Sequence, residues 1–356
     1  MIECFVKELV LRKVELKSEI VETIYFGGGT PSILTIADLR LLIDTVSENY
    51  KVIENPEITL EANPDDLMAV RSQSRTIFEE YYQIGINRLS IGIQSFFDDD
   101  LRAMNRAHNA KEARESLSVA TRNFDNITID LIYGIPTMTN QRWKENLQIA
   151  FDSGVNHISS YALTVEPKTA LDSFIKKGKY PPIDEEKALA HFNMLVNEST
   201  KIGFVQYEIS NFGKPDYFSK HNTSYWLGKS YVGIGPSAHS FDGQYRSWNI
   251  SNNVKYIKAI QQNELPSERE LLSTSDRFNE TVMTGLRTIW GVSLEQVEQV
   301  YGFKYKQYLL SSSEKYIKQK LLILEKCSDD PSQNILKITK KGKFLVDGIA
   351  AELFMI

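Results

Sequence analysis

Cysteine is nearly absent from this 356-residue sequence: Cys4 and Cys327 stand at opposite ends and are the only two. A disulfide framework needs several cysteines at regular spacing, and a thiolate metal site needs them clustered, so neither is legible here. Long apolar runs are also missing. None approaches the length of a membrane span, and the start lacks the charged-then-apolar pattern of an export signal. Nor is positive charge in excess: 41 Lys and Arg against 46 Asp and Glu leave a formal charge of −5. That balance argues against a nucleic-acid or anionic-membrane footprint. These absences together predict a cytoplasmic protein with no nucleic-acid partner and no membrane span, leaving room only for peripheral membrane association. No repeat or low-complexity tract is visible. What is present, 42% hydrophobic and 24% charged residues, suits a soluble chain of one large and one smaller domain, or two of similar size.

The most informative stretch is Thr23-Ile24-Tyr25-Phe26-Gly27-Gly28-Gly29-Thr30-Pro31. Ile, Tyr and Phe suit a packed strand. Three successive glycines have no use inside one, but they fit a point where bare backbone leaves a sheet and closely approaches something else. Pro31 fixes the exit direction. Parallel α/β folds bind ligands at such strand ends, so the motif favours a ligand over an unliganded turn. Strands are expected at 22–26, 57–62, 88–94, 127–133 and 157–165. Helical stretches are expected at 36–50 behind Thr35-x-x-Asp38, at 73–84, in pieces over 98–123, at 141–153 and at 185–202. This alternation implies βα units and a parallel sheet. Polar or glycine-bearing punctuation closes strand after strand: Glu61-Ala62-Asn63-Pro64, Gln94-Ser95-Phe96, Asp130 through Gly134-Ile135-Pro136, and Tyr161-Ala162-Leu163. In a parallel barrel such strand ends converge on one mouth.

Other stretches are less specific. The N-terminal helix carries an apolar stripe of Ile2, Phe5, Val6, Leu9 and Val10, with Cys4 off it and expected at the surface. Asp98-Asp99-Asp100 reads as a helix cap and dipole complement rather than a metal cluster. Residues 203–262 read as long aromatic loops dense in Gly, Asn and His, which are unfavourable in a domain unless they bind something. The final third is helical, with capping boxes at Ser273-x-x-Asp276 and Ser293-x-x-Gln296. It closes on a strand at 335–339, a lysine turn at 340–343 and a helix from Phe344, a winged-helix-like ending whose lysines read as a solvated turn.

In order and spacing, GGGTP at Gly27–Pro31, EANP at Glu61–Pro64, SIGIQSF at Ser90–Phe96, NRAH at Asn105–His108 and DLIYGIP at Asp130–Pro136 resemble the radical S-adenosylmethionine (SAM) proteins related to oxygen-independent coproporphyrinogen III oxidase. YEISNF at Tyr207–Phe212, HNTSYW at His221–Trp226 and GIGPSAHS at Gly233–Ser240 extend the resemblance over essentially the whole chain. The histidine block resembles the HemW-type haem chaperones more than the oxidase, which remains the alternative; whether the chain is an enzyme stays open. The resemblance implies a partial (βα)6 TIM-like barrel over 1–205 whose first strand is missing. It also implies a haem-motif loop region over 206–265 and a mostly helical, winged-helix-like α+β domain over 266–356.

By position, the resemblance implies that Gly28, Gly29 and Thr30 contact the amino-acid portion of SAM and that Glu61, Gln94, Arg106, Asp130 and Ala162 surround it. His221 would be an axial ligand of haem iron beside Tyr225 and Trp226, with His239 a weaker candidate. Haem-accepting proteins, respiratory ones among them, would be the partners. The family also holds a [4Fe–4S] cluster on a Cys-x3-Cys-x2-Cys loop, and this sequence has no such loop. A truncated start is the expected reason, and the chain as given is then not expected to bind the cluster or cleave SAM.

Overall fold

The computed structural model describes residues 1–16, 18–68, 76–327 and 330–356. The chain divides into two compact units, one of residues 23–36 with 57–218, the other of residues 1–22, 37–56 and 219–356.

The first unit is built on a sheet of β1 (Val21–Phe26), β2 (Val52–Ala62), β3 (Arg88–Gln94), β4 (Ile127–Tyr133), β5 (His157–Ala162), β6 (Val205–Glu208) and β7 (Asn211–Gly213), in the order β1-β2-β3-β4-β5-β7-β6. Strands β2 to β5 are parallel, with helices Ile77–Gln83, Ala110–Asn123, Asn140–Asp152 and Glu185–Lys201 along the chain between strands. The sheet curls into a TIM-like half-barrel. β3 and β5 are buried on both faces over most of their length, as strands of a covered parallel sheet are, and one face of β4 is sealed completely. In β4, Ile127, Ile129 and Leu131 are at most 1% exposed, while Thr128 and Asp130 alternate with them on the opposite face. Helices start where side chains satisfy free backbone N–H groups: Asn109 with Glu112 and Thr76 with Glu79 form reciprocal capping boxes. The expected helix at 73–84 begins at Ile77; its residues 73–75 lie outside those described. The strand expected to reach residue 165 ends at Ala162, where the Leu163 N–H donates to the Tyr133 carbonyl (2.8 Å) before the chain turns away.

Two expectations for this unit change. Strands β6 and β7 lie within the segment read as loop and extend the sheet, β7 pairing antiparallel with β5. Their four and three residues are too short for a periodicity to register. The three aspartates sit in the first turn of Asp98–Ala103 but do not cap it, since the N-cap is Phe97. Asp98 instead accepts from the Ala110 N–H, and buried Asp100 accepts from Ser95 and Arg142.

The second unit carries two small antiparallel sheets: β8 (His239–Phe241), β9 (Tyr245–Asn249) and β10 (Ser267–Leu271), then β11 (Val292–Ser293), β12 (Leu322–Lys326) and β13 (Asn334–Ile338). Helices Thr274–Leu286, Leu294–Tyr301, Phe303–Lys318 and Val346–Glu352 accompany the second sheet, giving the winged-helix-like C-terminal ending. Ser273 and Asp276 form the expected reciprocal box, and Ser293 caps its helix by accepting from the Gln296 N–H. Cys4 is not at the surface. It is 6% exposed, packed with Tyr256 and Ile260, because helix Ile2–Arg12 is covered on a second side by helix Asn253–Gln261. Here Glu8, fully buried, accepts from Arg12, Asn249, Tyr256 and the Gly235 N–H, so the buried charge is paired throughout. Among the described residues no helix is long and apolar enough to cross a membrane.

Candidate functional site: the mouth of the half-barrel and the histidine helix

The glycine turn follows β1 directly. Gly28 has φ +77°, a left-handed conformation that glycine adopts without strain, and its N–H donates to Glu61 Oε2 at 3.1 Å. Gly27 is required for a different reason. A Cβ there would lie 2.4 Å from Tyr25 Cε1 and 2.7 Å from Glu61 Oε1, whereas one at Gly29 meets nothing within 4 Å. Tyr25 donates its hydroxyl to Glu61 Oε1 at 2.7 Å, so Glu61 is held from β1 and from the turn at once. Thr30 opens a short 3₁₀ turn, Pro31–Ile33, rather than leading straight to a helix. Buried Ser32 in that turn donates to Asp66 (2.6 Å), fastening the glycine turn to the segment after Asn63.

Gln94 ends β3 at φ +57°, where the β3–β4 register shifts, and is 8% exposed. A glutamine held left-handed at a strand end is strained, a cost that accompanies functional sites more often than bare scaffolding. Its side chain and that of Arg106 both pass over Gly92, where an added Cβ would lie 2.8 Å from Gln94 Nε2 and 3.4 Å from Arg106 Nη2. Asn105, at φ +54°, turns the chain to place Arg106, whose Nη2 donates to Asn63 Oδ1 at 2.9 Å. Gln94 Oε1 and Arg106 Nε are buried without a partner, a residual hydrogen-bonding capacity that a polar ligand can satisfy. Asp130 stands on β4. Burial first, then the Glu61 carboxylate, raise its pKa to about 7 against the opposing Arg88 and Arg106. Ala162 ends β5 opposite Tyr133. Gly28 is hydrogen-bonded to Glu61, Gln94 and Arg106 share the space over Gly92, and Asp130 feels the charges of both Glu61 and Arg106.

These residues fit SAM: a glycine cradle, two orphaned polar atoms, and carboxylates suited to a sulfonium and an ammonium. They do not fit an iron–sulfur cluster. The chain has two cysteines, one sealed in an apolar core, and no group of three metal-ligating side chains occurs among the described residues.

His221 lies in the second unit, on helix Lys220–Trp226 rather than on a loop; Ser219 caps that helix by accepting from the Asn222 N–H. Its ring meets Tyr225 edge-on at 4.9 Å, with Nε2 3.1 Å from the Tyr225 hydroxyl, and Tyr225 in turn meets Tyr231 edge-on. Burial lowers the His221 pKa to about 4, so the imidazole is neutral at physiological pH, the form that ligates iron. Ligation through Nε2 requires Tyr225 to give way. Trp226 has Arg287 over its ring at 5.2 Å, so that face is engaged from within the unit. His239, on β8, is exposed beside Trp248. Sequence reasoning missed Tyr25, Gly27, Asn63 and Gly92. The two glycines stand inside recognised motifs, but their need for empty space is visible only in three dimensions.

A family model described as the Radical SAM superfamily matches residues 5–159, and the HemN C-terminal domain matches residues 272–345. Fold and site therefore define a radical SAM protein with a HemN-type C-terminal domain. Among characterised relatives, the heme chaperone HemW of Bacillus subtilis is 33% identical over 91% of this chain and 83% of its own length. The mitochondrial radical S-adenosyl methionine domain-containing protein 1 of Dictyostelium discoideum is 34% identical over 99% and 85%. The chain belongs to the HemW family. Its fold is also that of the Escherichia coli coproporphyrinogen III oxidase HemN, with a TM-score of 0.80 at 22% identity over 99% of this chain and 82% of that one.

Proposed function

We propose that this protein is a cytoplasmic haem chaperone that binds haem through His221, holds SAM at the mouth of the half-barrel, and passes haem to acceptor proteins. The observation that carries the reading is a neutral imidazole beside Tyr225 in a chain of the HemW family. In the pocket, Gly28, Gly29 and Thr30 receive the amino-acid end of SAM, while Gln94, Arg106 and Ala162 line the remainder. Glu61, fixed by Tyr25 and the Gly28 N–H, offers a preoriented acceptor, and Asp130 a carboxyl. When bound, SAM supplies a positively charged sulfonium. The test is haem titration of the purified protein followed by mixing with an apo-globin. A Soret band that is weakened in His221→Ala and migrates to the globin supports the reading. An unaltered band in the variant removes His221 as ligand, and haem that stays bound removes the chaperone role.

A further inference from the structure

Gln94 occupies the middle of a three-residue turn. The Ser95 N–H donates back to the Ile93 carbonyl at 2.7 Å, with Gln94 between them at φ +57°. A turn closed so tightly around a positive φ is the rare, strained form of the γ-turn. A residue other than glycine stays in such a conformation only where its surroundings over-determine it.

Two sets of contacts hold this turn. Downstream, the Phe96 N–H donates to Asn146 Oδ1 at 2.7 Å, and Ser95 donates its hydroxyl to buried Asp100 at 2.8 Å. These fasten the exit of the turn to helices Asn140–Asp152 and Asp98–Ala103. Upstream, the Ile93 carbonyl has a second partner, His108 Nε2 at 3.1 Å. A carbonyl only accepts, so Nε2 carries the proton. The ring is 3% exposed, and burial, more than any other influence, lowers its pKa, so the donor is a neutral imidazole.

His108 belongs to the segment that carries Arg106. The Arg106 N–H donates to the Leu101 carbonyl at 2.9 Å, and Asn109, directly after His108, is the N-cap of helix Ala110–Asn123. Arg106 thus reaches over Gly92 beside the Gln94 side chain, while His108, two positions on, grips the backbone of the Gln94 turn. The two groups brought together in this way, Gln94 Oε1 and Arg106 Nε, are both buried without a partner. Without the His108 hold the turn is free to relax towards an ordinary strand end. That would re-aim the Gln94 side chain and leave Arg106 on its own anchors, Asn63 and Leu101.

We propose that His108 is a positioning residue for the pocket: through the Ile93 carbonyl it locks the Gln94 turn to the Arg106 segment, so that the Gln94 amide and the Arg106 guanidinium meet the ligand as one unit. This rests on the SAM reading of the pocket and adds to it a residue that acts through two others.

Glutamine and asparagine separate the hydrogen bond from the space the ring fills. The amide nitrogen of glutamine lies as far along its side chain as Nε2 of histidine, whereas that of asparagine falls short, at the place of Nδ1. The experiment is calorimetric titration of the whole protein and of its His108→Gln and His108→Asn variants with SAM, with hydrogen exchange over residues 93–97 read in the same samples without ligand. His108→Gln is expected to bind within about twofold of the parent. His108→Asn is expected to bind about tenfold more weakly, the effect of one lost buried hydrogen bond, and it alone should exchange faster over 93–97. Urea unfolding identifies a variant that fails to fold; His108→Leu, which also lacks the donor, then replaces His108→Asn with the same expectation. If the parent binds no SAM, the SAM reading fails and this inference with it. If the parent binds and His108→Asn binds as tightly, or His108→Gln loses as much as His108→Asn, the inference alone is overturned. Weakened binding with unchanged exchange also overturns it, since His108 would then act elsewhere than through the turn.

Discussion

Gly27→Ala tests whether the glycine turn is shaped by Glu61 or merely follows the strand. The added methyl would sit 2.4 Å from Tyr25 Cε1 and 2.7 Å from Glu61 Oε1, against an ordinary contact of about 3.5 Å, so something must move by about 1 Å. Both obstacles are side-chain ends. The inexpensive relief is therefore rotation of Tyr25 and Glu61 apart, which breaks the Tyr25–Glu61 hydrogen bond and loosens the one from the Gly28 N–H. Hydrogen bonds to charged groups contribute about 1.5–3 kcal/mol each when buried. This mouth is half open, so about 2 kcal/mol for the pair is the working figure. Without the clash, a Gly→Ala change at a compatible backbone position stabilises by about 0.5 kcal/mol. Gly27→Ala should then destabilise the parent by about 1.5 kcal/mol and, where Tyr25 can turn aside with no Glu61 bond to break, stabilise a Glu61→Ala background by about 0.5 kcal/mol, a coupling energy of about 2 kcal/mol. Urea unfolding of the four members of that cycle measures it. Equal effects of Gly27→Ala in the two backgrounds would refute the role given to Glu61.

Three further predictions draw on other parts of the molecule. With the His221 pKa lowered to about 4 by burial, the neutral ligating form persists as pH falls through 6.5. Soret absorbance of the haem complex should hold from pH 8 to about 5 and decline only nearer 4; a midpoint at 6.5 would mean that His221 is not the ligand. Glu8→Ala leaves Tyr256 and Arg12 Nε buried without their shared acceptor while Arg12 keeps Glu15 and Asn249, a loss of about 2–3 kcal/mol; a change below about 1 kcal/mol in chemical unfolding would show that the buried pairing is dispensable. Finally, a thiol reagent added to the native protein should label one cysteine quickly, Cys327, and reach Cys4 only on unfolding; two fast equivalents would contradict the burial of Cys4.

The sequence was most readable where structure depends on near neighbours. Strands β3 and β4 run over the expected residues, 88–94 and 127–133, because short, mostly apolar runs are what a parallel sheet covered by helices requires. The capping box at Ser273 and the cap at Ser293 are equally local. Legibility failed where a residue's partner is remote. β7 is three residues long and exists because β5 lies beside it, some fifty positions earlier. Cys4 falls off the apolar stripe of its own helix, and only the helix at Asn253–Gln261 buries it.

The candidate site divides along the same line. Strand-end position marked Glu61, Gln94 and Asp130, because polar groups at successive strands of a parallel sheet converge whatever their neighbours, whereas Arg106, between two helices, was marked by the resemblance alone. It did not reveal what fixes them. The left-handed backbone of Gln94 has no signature in a glutamine, unlike the same conformation at Gly28. The restraint on Glu61 comes from a tyrosine that reads as an ordinary strand residue. The pairing of Ser159 with Asn211 depends on a strand invisible in the sequence, since without β7 Asn211 has no place beside Ser159. Groups that would touch a ligand are thus recognisable by type, while those that set their charge and direction emerge only once non-local pairing is known. Substitutions at Gln94 or Arg106, which leave buried polar atoms for a ligand to satisfy, should therefore change whether the pocket binds at all, whereas Tyr25→Phe should change only how firmly Glu61 is held.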